Sequence, residues 1–210
     1  MKPFTIALPA GRLAEESVAF FRKSGIADFT LTDKGRELSF FDPDSNIRIV
    51  LVRSRDVPTY VEQGAADAGI TGRDVLLEAD HNLTMPMTMA FGYCHLSVAV
   101  RTVDGPAILQ RPHLRVATKY SNLAMDYFFR KGISCEIIKL NGSIELAPIL
   151  DMADCIVDLV STGATLKANG LLEVEKILES SAVLVISRSA WVLHNQRINE
   201  MLHRFQKAVA

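Results

Sequence analysis

The stretch from Asp154 to Leu171, DCIVDLVSTGATLKANGL, constrains this chain more than any other. Cys155-Ile156-Val157 runs into Asp158-Leu159-Val160 as a short apolar segment and reads as a buried strand. Ser161-Thr162-Gly163-Ala164-Thr165 breaks that run, and Leu166 to Asn169 reads as the helical turn that follows. A strand that enters a helix through such a turn makes a good anion cradle. The turn presents free backbone N–H groups, the helix end adds positive potential, and the Thr hydroxyls donate further hydrogen bonds. Gly163 lets the backbone approach the anion closely. Asp158, near the carboxyl end of the strand, is placed to accept hydrogen bonds from neutral hydroxyls. A carboxylate followed by a phosphate loop suits a ribose 5-phosphate, with the acid on the 2′- and 3′-hydroxyls. The alternative is an ordinary Ser-Thr-Gly turn, with Asp158 capping the next element.

The pattern recurs earlier in the chain. Phe4 to Leu8 reads as a strand, Pro9-Ala10-Gly11-Arg12 as a loop, and Leu13 to Ser24 as a helix closed by Gly25. Leu38 to Phe41 and Ile47 to Val52 read as a hairpin around Asp42-Pro43-Asp44-Ser45-Asn46, with Arg36 just before it. Arg53-Ser54-Arg55-Asp56 opens a helix from Val57 to about Gln63, with Asp56 as N-cap. Ala66 to Ile70 is a strand, Thr71-Gly72-Arg73-Asp74 a loop, and Val75 to Ala79 a helix. Three strand ends thus carry Gly or Arg close to a helix start. In open α/β sheets ligands gather outside the carboxyl ends of the strands. Arg12 can grip a phosphate bidentately, and each of these arginines can equally be a solvated surface residue.

Met85-Pro86-Met87-Thr88-Met89 reads as irregular core packing, Phe91 to Val100 as a long strand, and Thr102 to Pro112 as a loop. A second α/β series starts at Leu114. It has a strand to Thr118, a polar loop with Lys119, a helix capped by Ser121 or Asn122, a strand from Cys135 to Leu140, and a helix from Asn141-Gly142-Ser143. Lys119 is a candidate phosphate contact, or a surface lysine. Val183 to Ile186 is a strand, and the last helix, from about Ala190, carries Leu193, Ile198, Leu202 and Phe205 on one face. The expected layout is an α/β protein of two lobes. Residues 1–93 with 181–210 form one, and residues 94–180, carrying the phosphoribosyl-type loop, form the other.

Composition narrows the function classes. The chain has 210 residues and a net charge of −1, so no global basic field attracts nucleic acid or a membrane surface. Hydrophobic residues make up 49% and charged residues 22%, the balance of a globular protein. Cys94, Cys135 and Cys155 are widely spaced and show neither a disulfide framework nor zinc-ligand spacing. No run is long enough to span a bilayer, and the N-terminus reads straight into a strand, so a cytoplasmic location is expected. The five histidines fall at no metal-ligand spacing, and no nucleophile elbow is present. Chemistry by positioning and charge stabilisation is left, or binding alone.

Several segments together resemble the ATP phosphoribosyltransferase family. They are Leu8 to Leu13 (LPAGRL), Arg53 to Glu62 (RSRDVPTYVE), Gly64 to Asp74 (GAADAGITGRD), Glu145 to Pro148 (ELAP) and, above all, Asp158 to Leu171 (DLVSTGATLKANGL). The resemblance covers nearly the whole chain in order. It implies a two-lobed fold like that of periplasmic binding proteins, with the active site in the cleft between lobes. It implies transfer of phosphoribosyl from phosphoribosyl pyrophosphate to N1 of the adenine of ATP, with Mg²⁺ bound to the donor. Asp158 would then hold the ribose hydroxyls, and Ser161, Thr162, Gly163, Ala164 and Thr165 the 5-phosphate. Arg12 and Arg36 would stabilise the departing pyrophosphate or the ATP phosphates, with Arg53, Arg73 and Lys119 as further substrate contacts.

Two departures stand out. Many relatives carry Lys where this chain has Ala10, and Glu where it has Ser161. The family's long form carries an additional C-terminal regulatory domain, whereas the sequence here stops at Ala210 just after one amphipathic helix, so the short form is expected. That form, which the chain resembles, works as a dimer with a separate regulatory subunit similar to histidyl-tRNA synthetase. A solute-binding module of the same fold, a transferase for another base or donor, and a regulatory paralogue remain as alternatives from the residues alone.

Overall fold

The computed structural model describes residues 2–31, 37–79 and 81–209. In chain order the elements are β1 (Phe4–Pro9), α1 (Arg12–Lys23), β2 (Ser39–Asp42), β3 (Ile47–Val52), α2 (Val57–Glu62), β4 (Ala68–Gly72), α3 (Arg73–Glu78), β5 (Thr84–Thr88), β6 (Cys94–Arg101), β7 (Leu114–Thr118), α4 (Ser121–Arg130), β8 (Cys135–Lys139), α5 (Leu146–Ile149), β9 (Cys155–Val160), α6 (Ala164–Ala168), β10 (Leu171–Ser180), β11 (Ala182–Ile186), α7 (Arg188–Leu193) and α8 (Asn195–Val209). Short 3-10 turns cover Ser54–Asp56 and Pro106–Gln110. The chain divides into two compact units, residues 1–76, 80–92 and 181–210 in one, and 77–79 with 93–180 in the other.

The first unit is built on a six-stranded sheet of order β2-β3-β1-β4-β11-β5. β3, β1 and β4 run parallel, and β11 returns antiparallel to β4. A parallel strand buried on both faces needs a continuous apolar run, and every residue of β1 is buried. α1 and α8 cover one face. Ala14, Ser17, Val18 and Phe21 of α1 recur at helical spacing and meet Ile198, Met201 and Phe205 of α8 in one core. Phe21 and Phe205 stack at 5.7 Å between centroids, with their ring planes 7° apart. α2 packs Val57 and Val61 on the other face.

The second unit has a five-stranded sheet of order β10-β6-β9-β7-β8. β9, β7 and β8 are parallel, while β6 runs antiparallel to both β9 and β10. Side chains alternate across it. Val157 and Cys155 of β9 join Val116, Ala124 and Phe128 in a core under α4. Ile156 and Val160 join Ala117, Ala147 and Leu166 in a core under α5 and α6. Asp154 fixes the register at the start of β9. Its amide donates to Arg115 O and its carboxylate accepts from Arg115 N, both at 2.8 Å, while Arg111 Nη1 reaches it at 2.6 Å.

Several sequence expectations are corrected. Met85 to Met89 is largely regular, because β5 pairs with β11 and only Met89 is fully buried. Residues 171–180, read from sequence as no strand, form the ten-residue β10. Its Glu and Lys residues are interspersed with half-buried apolar ones, with register shifts between Glu173 and Glu175 and between Lys176 and Leu178, as suits a strand at a sheet edge. The loop assigned to Thr71 and Gly72 is the end of β4. Asp56 caps nothing with its side chain, since the 3-10 turn feeds directly into α2. Neither Ser121 nor Asn122 caps α4. Tyr120 is its N-cap, and the Glu78 carboxylate accepts from the Asn122 and Leu123 amides at 3.0 and 3.1 Å. The helix expected from Ser143 is the single turn α5, and the loop around Pro106 contains a 3-10 turn. Leu193 is 75% exposed, because the last helix breaks at His194.

Two outcomes test this packing. Gly69 faces α2 so closely that an added Cβ would lie 2.7 Å from Val57 Cγ1 and 3.0 Å from Val61 Cγ2. Gly69→Ala is expected to destabilise by about 1–3 kcal/mol in urea unfolding, since β-branched neighbours cannot swing aside. Burial works against ionisation of Asp154, but hydrogen bonds and charge from Arg115, with Arg111, outweigh it and hold the carboxyl below its ordinary value. A lowered folded value contributes stability above the ordinary carboxylate range that is lost as pH falls through the folded value. The stability gap between wild type and Asp154→Asn should be largest near neutral pH and close under acid.

Candidate phosphate and ribose site

β9 ends one residue before the Ser161-to-Thr165 loop, and α6 begins at Ala164. Gly163 is the N-cap of α6 and takes a left-handed conformation, φ 73° and ψ 0°. That turn swings the chain from strand to helix, and glycine accepts it without strain. The amides at the start of a helix have no intrahelical acceptor. Here the Ala164 amide meets the Thr162 hydroxyl at the long distance of 3.4 Å. Ser161, Thr162, Ala164 and Thr165 are all exposed, so their donors face solvent.

Asp158 lies on the face of β9 that carries Ile156 and Val160. A pocket of about 230 Å³ brings Asp158 together with all five loop residues, 161–165, and adds Glu145 from the N-terminus of α5. Glu145 stands in a motif visible in the sequence, but nothing in its spacing marks it as part of this pocket.

Lys119 follows β7, the strand next to β9. Thr118 pairs with Val157 in the parallel register, so the next residue of β7 faces Asp158. The Lys119 Nζ lies 3.3 Å from Asp158 Oδ1 and 5.1 Å from the Tyr120 ring centroid. Thr118, fully buried, fixes this corner. Its hydroxyl donates to Val157 O at 2.6 Å and accepts from the Tyr120 amide at 2.8 Å.

The first unit gathers the other cations by topology. β3, β1 and β4 are adjacent and parallel, so Arg53, Arg12 and Arg73, each following one of them, share one sheet edge. All three are exposed. Arg12 starts α1 behind Gly11 and touches Glu16 at 3.4 Å. Arg73 opens α3, its amide donating to Ser181 O. Arg36 lies outside the described residues. The sequence also missed a polar cluster on the sheet of the second unit. His95 Nε2 lies 2.7 Å from Glu173 Oε1, which also accepts from the buried Ser97 hydroxyl at 2.8 Å. The partners lie 78 and 76 positions apart, beyond any motif spacing. Among the described residues no group of three or more His, Cys, Asp or Glu could hold a metal ion.

Thr118→Val keeps the shape of that side chain but leaves the Tyr120 amide and Val157 carbonyl without their partner. A loss of about 1–3 kcal/mol in urea unfolding is expected, with faster hydrogen exchange at the Tyr120 amide.

A family model described as "HisG: ATP phosphoribosyltransferase" matches residues 53–207. An ATP phosphoribosyltransferase of Leptospira biflexa is 48% identical over 202 residues, spanning 96% of this chain and 98% of that protein. One from Geobacter metallireducens is 46% identical over 209 residues, with 98% of each chain covered. Among solved structures, the ATP phosphoribosyl transferase (HisG:HisZ) complex from Thermotoga maritima aligns with TM-score 0.82 and 32% identity over 98% of each chain. The alkanesulfonate-binding protein SsuA from Xanthomonas axonopodis pv. citri aligns with TM-score 0.63 over 99% of this chain and 73% of that one. At 13% identity it supports the fold alone. This fold, the loop after β9 and the near full-length identity lead to one conclusion: the chain belongs to the ATP phosphoribosyltransferase family.

Proposed function

We propose that this chain transfers the phosphoribosyl group of phosphoribosyl pyrophosphate to N1 of the adenine of ATP, releasing pyrophosphate in the first step of histidine biosynthesis. The observation that carries the reading is the pocket in which a strand-end carboxylate, Asp158, adjoins the left-handed Gly163 turn and its hydroxyls. That pairing of donors and acceptor matches a ribose bearing a 5-phosphate. Near full-length relatives carrying this name support the choice of reaction.

In this reading Asp158 accepts from the 2′- and 3′-hydroxyls. Ser161, Thr162, Gly163, Ala164 and Thr165 hold the 5-phosphate through amides, hydroxyls and the positive end of α6. Lys119 neutralises Asp158 until the sugar takes its place. The ribose C1 bond to pyrophosphate breaks as adenine N1 approaches from the opposite face, and negative charge grows on the leaving group. Arg12 and Arg36 stabilise that charge, with Arg53 and Arg73 as further phosphate contacts. Groups that bind the leaving oxygens more tightly in the transition state accelerate the step. Mg²⁺ bound with the donor would supply neutralisation of the pyrophosphate charge. Glu145 and Asp158 are the carboxylates of this pocket that would hold such an ion, and a substrate-borne ion needs only one or two protein oxygens.

By its likeness to the HisG chain of the Thermotoga complex, this chain is assigned a separate regulatory subunit similar to histidyl-tRNA synthetase, and a homodimer within the larger assembly. The location assigned is the cytoplasm.

The test is the absorbance of phosphoribosyl-ATP formed from ATP, phosphoribosyl pyrophosphate and Mg²⁺, with the regulatory subunit present. Wild type should form product and Asp158→Ala very little. Arg12→Ala should lose about 2–4 kcal/mol of transition-state stabilisation, roughly 30- to 900-fold in rate. Absence of product from the wild type would sink the assignment.

A further inference from the structure

Two glutamates follow Arg12 in the first turns of α1. Glu15 is exposed, and Glu16 is half-buried. Residues four apart on a helix are neighbours on one face, so Glu16 stands beside Arg12. Its Oε1 meets Arg12 Nη1 at 3.4 Å. Its Oε2 is buried and has no hydrogen-bond partner among the described residues.

This is a loose pair. Arg22–Asp28, Arg101–Asp104 and Arg111–Asp154 each close to 2.6 Å. An arginine facing a carboxylate can make two short parallel bonds, and Arg12 makes one long one. The order is also the weaker one for a helix, with the cation on the N-terminal side. Lys119–Asp158, the other pair at a proposed substrate contact, is similarly long at 3.3 Å.

Such a pair can exchange. Pyrophosphate carries more charge than one carboxylate and offers the guanidinium two oxygens at once, so it displaces Glu16. The buried oxygen of Glu16 acts in the opposite sense. A buried acceptor without a donor is costly, so the carboxylate draws Arg12 back when the anion leaves.

We propose that Glu16 is a positioning residue that competes with pyrophosphate for Arg12, and so weakens product binding and speeds product release. The proposal rests on the reading of Arg12 as a grip on the leaving group. Its sign follows from charge. Glu16→Gln keeps the size of the side chain and removes the competing charge, so the anion should bind more tightly. One unit charge a few Å away in a solvated site is worth about three- to tenfold in affinity.

The experiment titrates pyrophosphate with Mg²⁺ into the complex with its regulatory subunit, by calorimetry. Ribose 5-phosphate is the second probe, since it reports the Asp158 pocket and an intact fold. Glu16→Gln should bind pyrophosphate about three- to tenfold tighter, with ribose 5-phosphate affinity unchanged. Inhibition of turnover by pyrophosphate should strengthen by the same factor. Glu15→Gln makes the same charge change at an exposed, screened position and should shift the affinity by less than about twofold. In an Arg12→Ala background Glu16→Gln should change nothing, because the carboxylate acts through that arginine. Unchanged or weaker pyrophosphate binding in Glu16→Gln overturns the inference. So does an equal gain for ribose 5-phosphate, in Glu15→Gln, or in the Arg12→Ala background. If Arg12→Ala alone binds pyrophosphate as the wild type does, the reading of Arg12 falls and this inference falls with it.

Discussion

Parallel strand pairing is the constraint from which the rest of this structure follows. When β3, β1 and β4 run in the same direction, their carboxyl ends fall on one edge. The same holds for β9, β7 and β8. The loops that leave those edges must begin helices, so each edge is lined with helix starts and the short segments before them. Arg12, Arg53 and Arg73 in one unit, and Lys119 with residues 161–165 in the other, are brought together by this rule and not by closeness in sequence. The buried Thr118 hydroxyl and the Asp154–Arg115 pairing hold β7 and β9 in register. Without that register Lys119 and Asp158 would not meet.

Charge is local throughout. A net charge of −1 cannot concentrate anionic substrates by a global field, so affinity must come from placed groups. Two pockets of the second unit, the one around Asp158 and one lined by Tyr93, Cys94, His95, Ser161, Glu179 and Ser180, differ in polarity. One presents amides, hydroxyls and a carboxylate paired with Lys119. The other presents an imidazole and a carboxylate with no cation in its lining. They share Ser161 and are therefore adjacent. Cys155 is buried among apolar side chains, and burial pushes its thiol up to about 12.

Much of the local structure was legible in the chain. The runs at Phe4, Ile47, Leu114 and Cys155 were apolar enough to require burial, and Gly or a polar turn marked where each ended. The family motif from Asp158 to Leu171 lies in one strand, one turn and one short helix, so its geometry is almost wholly local. β10 was not legible, because register shifts between Glu173 and Glu175 and between Lys176 and Leu178 break the two-residue period that marks a strand. The cap of α4 was not legible either, since Glu78 supplies it from more than 40 positions away.

The sequence by itself determined the α/β class, most of the order of elements and the strand–turn–helix units that bear Asp158, Gly163 and the arginines outside the loop of Arg36. Backbone preference and hydrophobic period act over a few residues, and a few residues suffice to write them. Only the tertiary structure decided which of those units stand side by side. Strand order and register join Lys119 to Asp158 and His95 to Glu173, across 39 and 78 positions. Those contacts arise from hydrogen bonds between strands, and no single segment encodes them.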